Sequence, residues 1–110
     1  MIDIHAHILP GFDDGAGTMA EAVEMARQAS ANGIATVVAT PHILDPLRPH
    51  RDKILSTVTD LRAALRAAGI AVEILPGAEI HIEPEVARAV RDGAAMTIGD
   101  AGRHLLLELP

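Results

Sequence analysis

Ile2-Asp3-Ile4-His5-Ala6-His7-Ile8 is the stretch on which the reading of the whole chain turns. Apolar and polar residues alternate strictly, with Ile2, Ile4, Ala6 and Ile8 on one face and Asp3, His5 and His7 on the other. That is the period of a β-strand. Alternate side chains on a strand point the same way, so two imidazoles at this spacing can grip one cation without bending the backbone. A lone His-x-His pair also suits a solvated strand face. On a strand buried in a parallel sheet, however, three unpaired polar groups would be costly, which favours their use as ligands. Pro10-Gly11 then breaks the strand.

Moving outward, Thr18 with Glu21 three positions later makes a capping box. Met19, Ala22, Val23, Ala26 and Ala29 follow at helical spacing, and Gly33 suits the position just past the helix end. Residues 34–39 form a short apolar run, which predicts a strand buried on both faces that stops at Thr40-Pro41-His42. A loop with Pro46 and Pro49 leads into a second helix over 51–68, striped by Ile54, Val58, Leu61, Leu65 and Ala68 and ended by Gly69. The third strand covers 72–75 and continues past Pro76-Gly77 into Glu79-Ile80. Pro84 fits the first turn of a third helix that runs to about Asp92 and stops at Gly93. After Gly99 and Gly102, residues 104–109 read as a fourth strand. Parallel strands alternating with helices are therefore expected, the α/β class. An open doubly wound sheet and a segment of a (β/α) barrel both fit; a whole barrel takes about 250 residues, so 110 would supply roughly half.

The bulk properties narrow the chemistry. One small domain is expected, and with Phe12 as the only aromatic its core must be built from small aliphatic contacts. A formal charge of −6, without clustered Lys and Arg, argues against nucleic-acid binding. Cysteine is absent, so disulfides and thiolate metal sites are excluded and any metal must be held by imidazole and carboxylate. No apolar run approaches the ~20 residues of a membrane span, and the start of the chain lacks the pattern of a secretory signal. A cytoplasmic location is the expectation.

The potential ligands recur at strand ends: His5 and His7 on the first, His42 just past the second, Glu79 after the third and Glu108 near the end of the fourth. The separations are 35 residues from His7 to His42, 37 from His42 to Glu79 and 29 from Glu79 to Glu108. In parallel α/β folds that edge is where catalytic groups collect. Glu79 and Glu108 taken singly would pass for solvated charges, but Glu108 interrupts Leu105-Leu106-Leu107 and Leu109, where an exposed carboxylate is unexpected. Together the five predict a metal site of a type that suits zinc, manganese or iron. Two such cations side by side activate water and clamp both oxygens of a displacement. The loop 9–15, Leu-Pro-Gly-Phe-Asp-Asp-Gly, has turn composition but is expected to overhang that site, with Asp14 reaching water or substrate. His50, His81 and His104 are expected to be structural or solvated, with His81 the least secure because it shares a face with Glu79.

These residues resemble a known family. Ile-Asp-Ile-His-Ala-His-Ile-Leu-Pro-Gly-Phe-Asp-Asp-Gly-Ala, then Ala-Thr-Pro-His, Pro-Gly-Ala-Glu-Ile and Leu-Leu-Leu-Glu-Leu-Pro are similar, in order and across the entire chain, to the polymerase-and-histidinol-phosphatase (PHP) superfamily. The nearest resemblance is to its manganese-dependent protein-tyrosine phosphatases of capsule and exopolysaccharide synthesis. The resemblance implies that residues 1–110 form the N-terminal half of a distorted (β/α) barrel, a partial PHP-type metallophosphatase domain with two or three Mn²⁺ ions, Zn²⁺, Fe²⁺ or Mg²⁺ being alternatives. It implies His5, His7, Glu79 and Glu108 as metal ligands and His42 as a ligand to a neighbouring metal; Asp14 and His42 are the catalytic candidates. The implied reaction is phosphomonoester hydrolysis on a phosphotyrosine protein such as a bacterial tyrosine kinase, with a homo-oligomer as a possible assembly. Alternatives are a histidinol-phosphate phosphatase, an amidohydrolase-like metallohydrolase, or a non-catalytic metal-binding fragment. The family's further His, its Asp-x-His pair and its phosphate-binding arginines follow the fourth strand and have no counterpart before Pro110. The expectation is a truncated product, a fragment or a split gene with little or no phosphatase activity of its own.

Overall fold

In the computed structural model, which describes residues 1–109, the first helix begins and ends where the local chemistry dictates. Pro110, the last residue of the Leu-Leu-Leu-Glu-Leu-Pro motif, lies outside the described residues. The chain runs β1 (Ile2–Ala6), α1 (Met19–Ala31), β2 (Thr36–Ala39), β3 (His42–Ile43), α2 (Arg51–Ala68), β4 (Glu73–Pro76), β5 (Glu79–His81), α3 (Val86–Arg91), a 3-10 turn at Ile98–Asp100, and β6 (Leu106–Glu108).

Thr18 caps α1 by accepting from the Glu21 N–H at 3.2 Å. The reciprocal half of the box is displaced by one residue, since Glu21 Oε2 takes the N–H of Gly17 rather than that of Thr18. At the other end the Ile34 N–H donates to the Ala29 carbonyl across Gly33, whose φ of +83° a side chain would strain. Ile54, Val58, Leu61 and Leu65 form the buried stripe of α2 as expected, whereas Ala68 is exposed in the last turn. Pro84 also departs from expectation. It lies in the turn before α3 rather than inside its first turn, and Glu85 is the residue flanking the helix.

All strand pairs are parallel, but they form two three-stranded sheets, ordered β1-β2-β4 and β3-β5-β6. The second predicted strand stops at Thr40-Pro41 as expected, but the chain resumes at once as β3 in the other sheet, and the third is interrupted at Gly77-Ala78, so that β4 and β5 lie in different sheets. Gly77 permits its break: a Cβ there would stand 2.9 Å from Val38 Cγ1 and 3.1 Å from the Ala39 carbonyl oxygen. Val37, Val38 and Ala39 are consecutive and all buried, as a strand covered on both faces requires.

β1 differs from the buried strand expected of its sequence. It has a neighbour on one side only, Ile2 and Ile4 are exposed, and its register against β2 shifts between Asp3 and Ala6. The core lies instead between the sheets and the helices, where Ile8, Leu9, Ala22, Ala26, Ile54, Leu61, Ile74 and Ile80 pack together. α1 and α2 lie against each other and α2 covers β4. Among the described residues no helix is long and apolar enough to cross a membrane.

Candidate metal centre

Thr40 is the first fixed point of the site. It is fully buried, its N–H donates to the Ala6 carbonyl at 2.8 Å and its hydroxyl accepts the Ala6 N–H at 2.9 Å. The hydroxyl thus takes a ladder bond where the pairing of β1 and β2 runs out, and His7 and His42 emerge on either side of this junction. Register then carries the site across the second sheet. His42 pairs with Glu79 and His81 pairs with Glu108. Paired residues of parallel strands present their side chains on one face, so all four point the same way.

Glu79 lies at the centre and is almost fully buried. His5 Nε2 stands 2.9 Å from its Oε2, while His7 Nε2 and His42 Nδ1 stand 3.0 and 2.9 Å from its Oε1. Glu108 Oε2 approaches the same His42 Nδ1 at 3.0 Å. The structure therefore gathers five residues: His5 and His7 from the end of β1, His42 and Glu79 from just past the C-terminal ends of β2 and β4, where they open β3 and β5, and Glu108 from the end of β6. Asp14 overhangs them, 84% exposed, with Oδ1 3.4 Å from His7 Nδ1. An open cleft of about 420 Å³ lined by Phe12, Asp13, Asp14, His42, Leu44 and Glu108 leads to the cluster.

The proton count of this arrangement fits a cation. A neutral imidazole carries one N–H. His7 faces carboxylates with both ring nitrogens, so a neutral ring sets one lone pair against an oxygen. His42 Nδ1 has at most one proton for two carboxylates. Three overlapping donor sets result: His5, His7 and Glu79; His7, Asp14 and His42; and His42, Glu79 and Glu108. Imidazole nitrogens mixed with carboxylate oxygens, all within 4.8 Å of one another in each set, make up a borderline donor set for a divalent ion.

The role of Asp13 was not foreseen in the sequence, although it is the more deeply held of the two adjacent aspartates. Oδ1 accepts from the Gly15 N–H at 2.9 Å and Oδ2 from the His42 N–H at 3.0 Å, so Asp13 ties the first loop to the second strand end. An Asp two residues before Gly is an Asx-turn signal, but the distant His42 partner has no local signature. Gly15 is equally constrained, because a Cβ there would lie 1.9 Å from the His7 carbonyl oxygen. Phe12 fastens the same loop to α2, with Lys53 Nζ 4.3 Å from its ring centre.

The other histidines, and two arginines that precede or open α2, separate cleanly. His50 is buried, donating from Nδ1 to the Arg48 carbonyl at 2.8 Å and accepting the Met96 N–H at Nε2 at 3.3 Å. Arg51 is committed to Asp100 and to the Gly93 carbonyl, so it faces away from the cluster. Arg48, by contrast, is exposed and lines a cavity of about 210 Å³ that also includes His42. His104 is exposed, while His81 faces Glu108.

Fold and site together define a parallel α/β domain whose strand ends converge on a histidine–carboxylate centre of the kind that holds divalent cations. The chain belongs to the capsular polysaccharide synthesis family CpsB/CapC, whose family model matches residues 1–110. It is 39% identical over 111 aligned positions to the tyrosine-protein phosphatase YwqE of Bacillus subtilis, and 30% identical over 111 to the putative tyrosine-protein phosphatase CapC of Staphylococcus aureus. In both cases all of the chain is covered, but only 43% of the relative. The chain thus spans less than half the length of these relatives. Among solved structures it superposes with a TM-score of 0.90 and 38% identity on a chain from the work on YwqE of Bacillus subtilis and CpsB of Streptococcus pneumoniae, described as unique metal-dependent tyrosine phosphatases. The superposition covers the whole of this chain and 44% of that one, consistent with the N-terminal part of a barrel.

Proposed function

We propose that residues 1–110 supply the first part of the active site of a metal-dependent phosphomonoester hydrolase acting on phosphotyrosine in proteins. The observation that carries the proposal is Glu79: a buried carboxylate within 3.0 Å of three imidazoles delivered by two separate segments of the chain. His5, His7 and Glu79 would hold one ion, His42, Glu79 and Glu108 a second, and His7, Asp14 and His42 a third. Mn²⁺ is the ion we propose, and the donor set also accommodates Zn²⁺, Fe²⁺ or Mg²⁺. When bound, such ions supply Lewis acidity and the activation of water.

The chain's own residues do the rest. Glu79 and Glu108 fix the imidazoles, and Asp13 holds the backbone of His42. Asp14, at the mouth, orients water or substrate, and Arg48 in the cavity beside His42 is placed to meet phosphate. A tyrosine leaving group, with a pKa of about 10, reduces the need for a strong general acid. The names of the relatives support phosphotyrosine over histidinol phosphate. The natural substrate we propose is a cytoplasmic phosphotyrosine protein of capsule or exopolysaccharide synthesis, such as a tyrosine kinase.

Three donor sets share only six residues, so this segment alone coordinates each ion incompletely. Residues that act as one catalytic unit lose rate together when some are missing. The test is turnover of p-nitrophenyl phosphate and a phosphotyrosine peptide with Mn²⁺, comparing this chain with a version as long as its relatives. The expected result is Mn²⁺ binding by both and turnover slower by orders of magnitude in the shorter. Failure of either version to bind a divalent ion would sink the proposal.

A further inference from the structure

We infer that His81 is a positioning residue for Glu108, its Nδ1 supplying the hydrogen bond that steadies the carboxylate when the cluster holds a cation. The inference rests on the metal-centre reading above. His81 lies two residues beyond Glu79 on β5, so strand geometry places both on the face that carries His42. Its register partner is Glu108, and the Ile82 N–H donates to the Glu108 carbonyl at 2.9 Å, which pins the two backbones side by side.

Nδ1 of His81 is 4.0 Å from Glu108 Oε2, beyond hydrogen-bonding distance. Among the described residues it is also the one buried side-chain nitrogen or oxygen without a partner. A buried polar atom left unpaired is uncommon and calls for a physical reason. Here the reason lies in what Glu108 does. Its Oε2 is drawn toward His42 Nδ1 at 3.0 Å, an interaction that a cation shared by the two groups would replace. The carboxylate then needs an N–H from outside the cluster, and His81 is the side chain set beside it for that purpose. Direct ligation by His81 fits less well, because it belongs to none of the three donor sets. Carboxylates that bind metals are held by outer hydrogen bonds, and removing such a partner typically weakens metal binding about 10–100-fold.

The experiment is calorimetric titration of the 110-residue chain with Mn²⁺ in wild type, His81→Ala and His81→Asn, with Glu108→Gln marking which binding step belongs to Glu108. Circular dichroism of the metal-free proteins checks that the variants fold. His81→Ala is expected to weaken the step marked by Glu108→Gln about 10–100-fold, with stoichiometry at saturation and the other steps unchanged. His81→Asn, which keeps an N–H at similar reach, is expected to recover most of the loss. Equal affinities in wild type and His81→Ala overturn the inference, as does an Asn variant no better than Ala. Loss of a whole ion in His81→Ala also overturns it, since His81 would then be a ligand itself. Wild type that binds no Mn²⁺ overturns the metal centre together with this inference; intact wild-type binding with an indifferent His81→Ala overturns this inference alone.

Discussion

Two neighbouring aspartates show how differently adjacent residues can be used. Asp13 is buried and accepts backbone N–H groups from Gly15 and His42, whereas Asp14 is exposed above His7. Removing the Asp13 carboxylate leaves two backbone donors without their partner, and a buried donor so orphaned costs about 1–3 kcal/mol. Asp13→Ala is therefore expected to lower unfolding stability by that order in urea titrations, and Asp14→Ala by less than about 0.5 kcal/mol, as for most surface changes. Metal content should follow a different order. Glu79→Gln keeps the shape of the side chain but removes the charge that three imidazoles share, and His5→Ala with His7→Ala removes two donors of one set. Both variants are expected to carry less Mn²⁺ than wild type by elemental analysis of folded samples. Unchanged content in the double histidine variant would remove the first ion site from the proposal.

At the scale of elements, the interruptions in the strands matter as much as the strands. Thr40 closes the end of β1 against β2 with its hydroxyl, and the chain then turns through Pro41 to deliver His42. Thr40→Val retains the volume and loses the acceptor for the Ala6 N–H. A destabilisation of about 1–3 kcal/mol is expected, accompanied by weaker Mn²⁺ binding because His7 and His42 flank that junction. The expected destabilisation with metal affinity intact would show that Thr40 serves the sheet alone. Gly15→Ala tests the loop from the other side. Its new methyl would meet the His7 carbonyl, so the loop must shift and carry Asp13 and Asp14 with it. Reduced metal affinity is expected without loss of helical circular dichroism, since α1 begins beyond the loop at Met19.

For the molecule as a whole, two of the four strands that end a sheet, the first and the last in the chain, carry the consequence. β1 and β6 each have a neighbour on one side only, and Ile2, Ile4, Leu107 and Leu109 stand exposed on or beside them. Unpaired strand edges with aliphatic side chains recruit further chain. Concentration-dependent self-association is expected in light scattering of the 110-residue chain, and Ile4→Lys with Leu107→Lys is expected to reduce it. A strictly monomeric wild type at high concentration would contradict this expectation.

Local sequence was sufficient for features governed by neighbours a few residues apart. The stripe Ile54, Val58, Leu61 and Leu65, the Thr18 cap and the left-handed glycines at 33 and 69 set the helices, because hydrogen bonds and side-chain spacing within a helix are short-range. The alternation around His5 and His7 and the recurrence of His42, Glu79 and Glu108 at strand ends likewise mark five of the donors in the sequence itself. Only the tertiary structure decided that β1 is an exposed edge, that the chain beyond β2 and β4 continues into a second sheet, and that Asp13, with its side chain covered, is the brace rather than Asp14. It also decided that Arg51 is spent on Asp100, and that His81 faces Glu108 with an unpartnered nitrogen. The three side-chain contacts among these join residues 27 to 49 positions apart, from His81 and Glu108 to Arg51 and Asp100. Such contacts are fixed by register and by the closing of the whole core, and no stretch of local sequence encodes them.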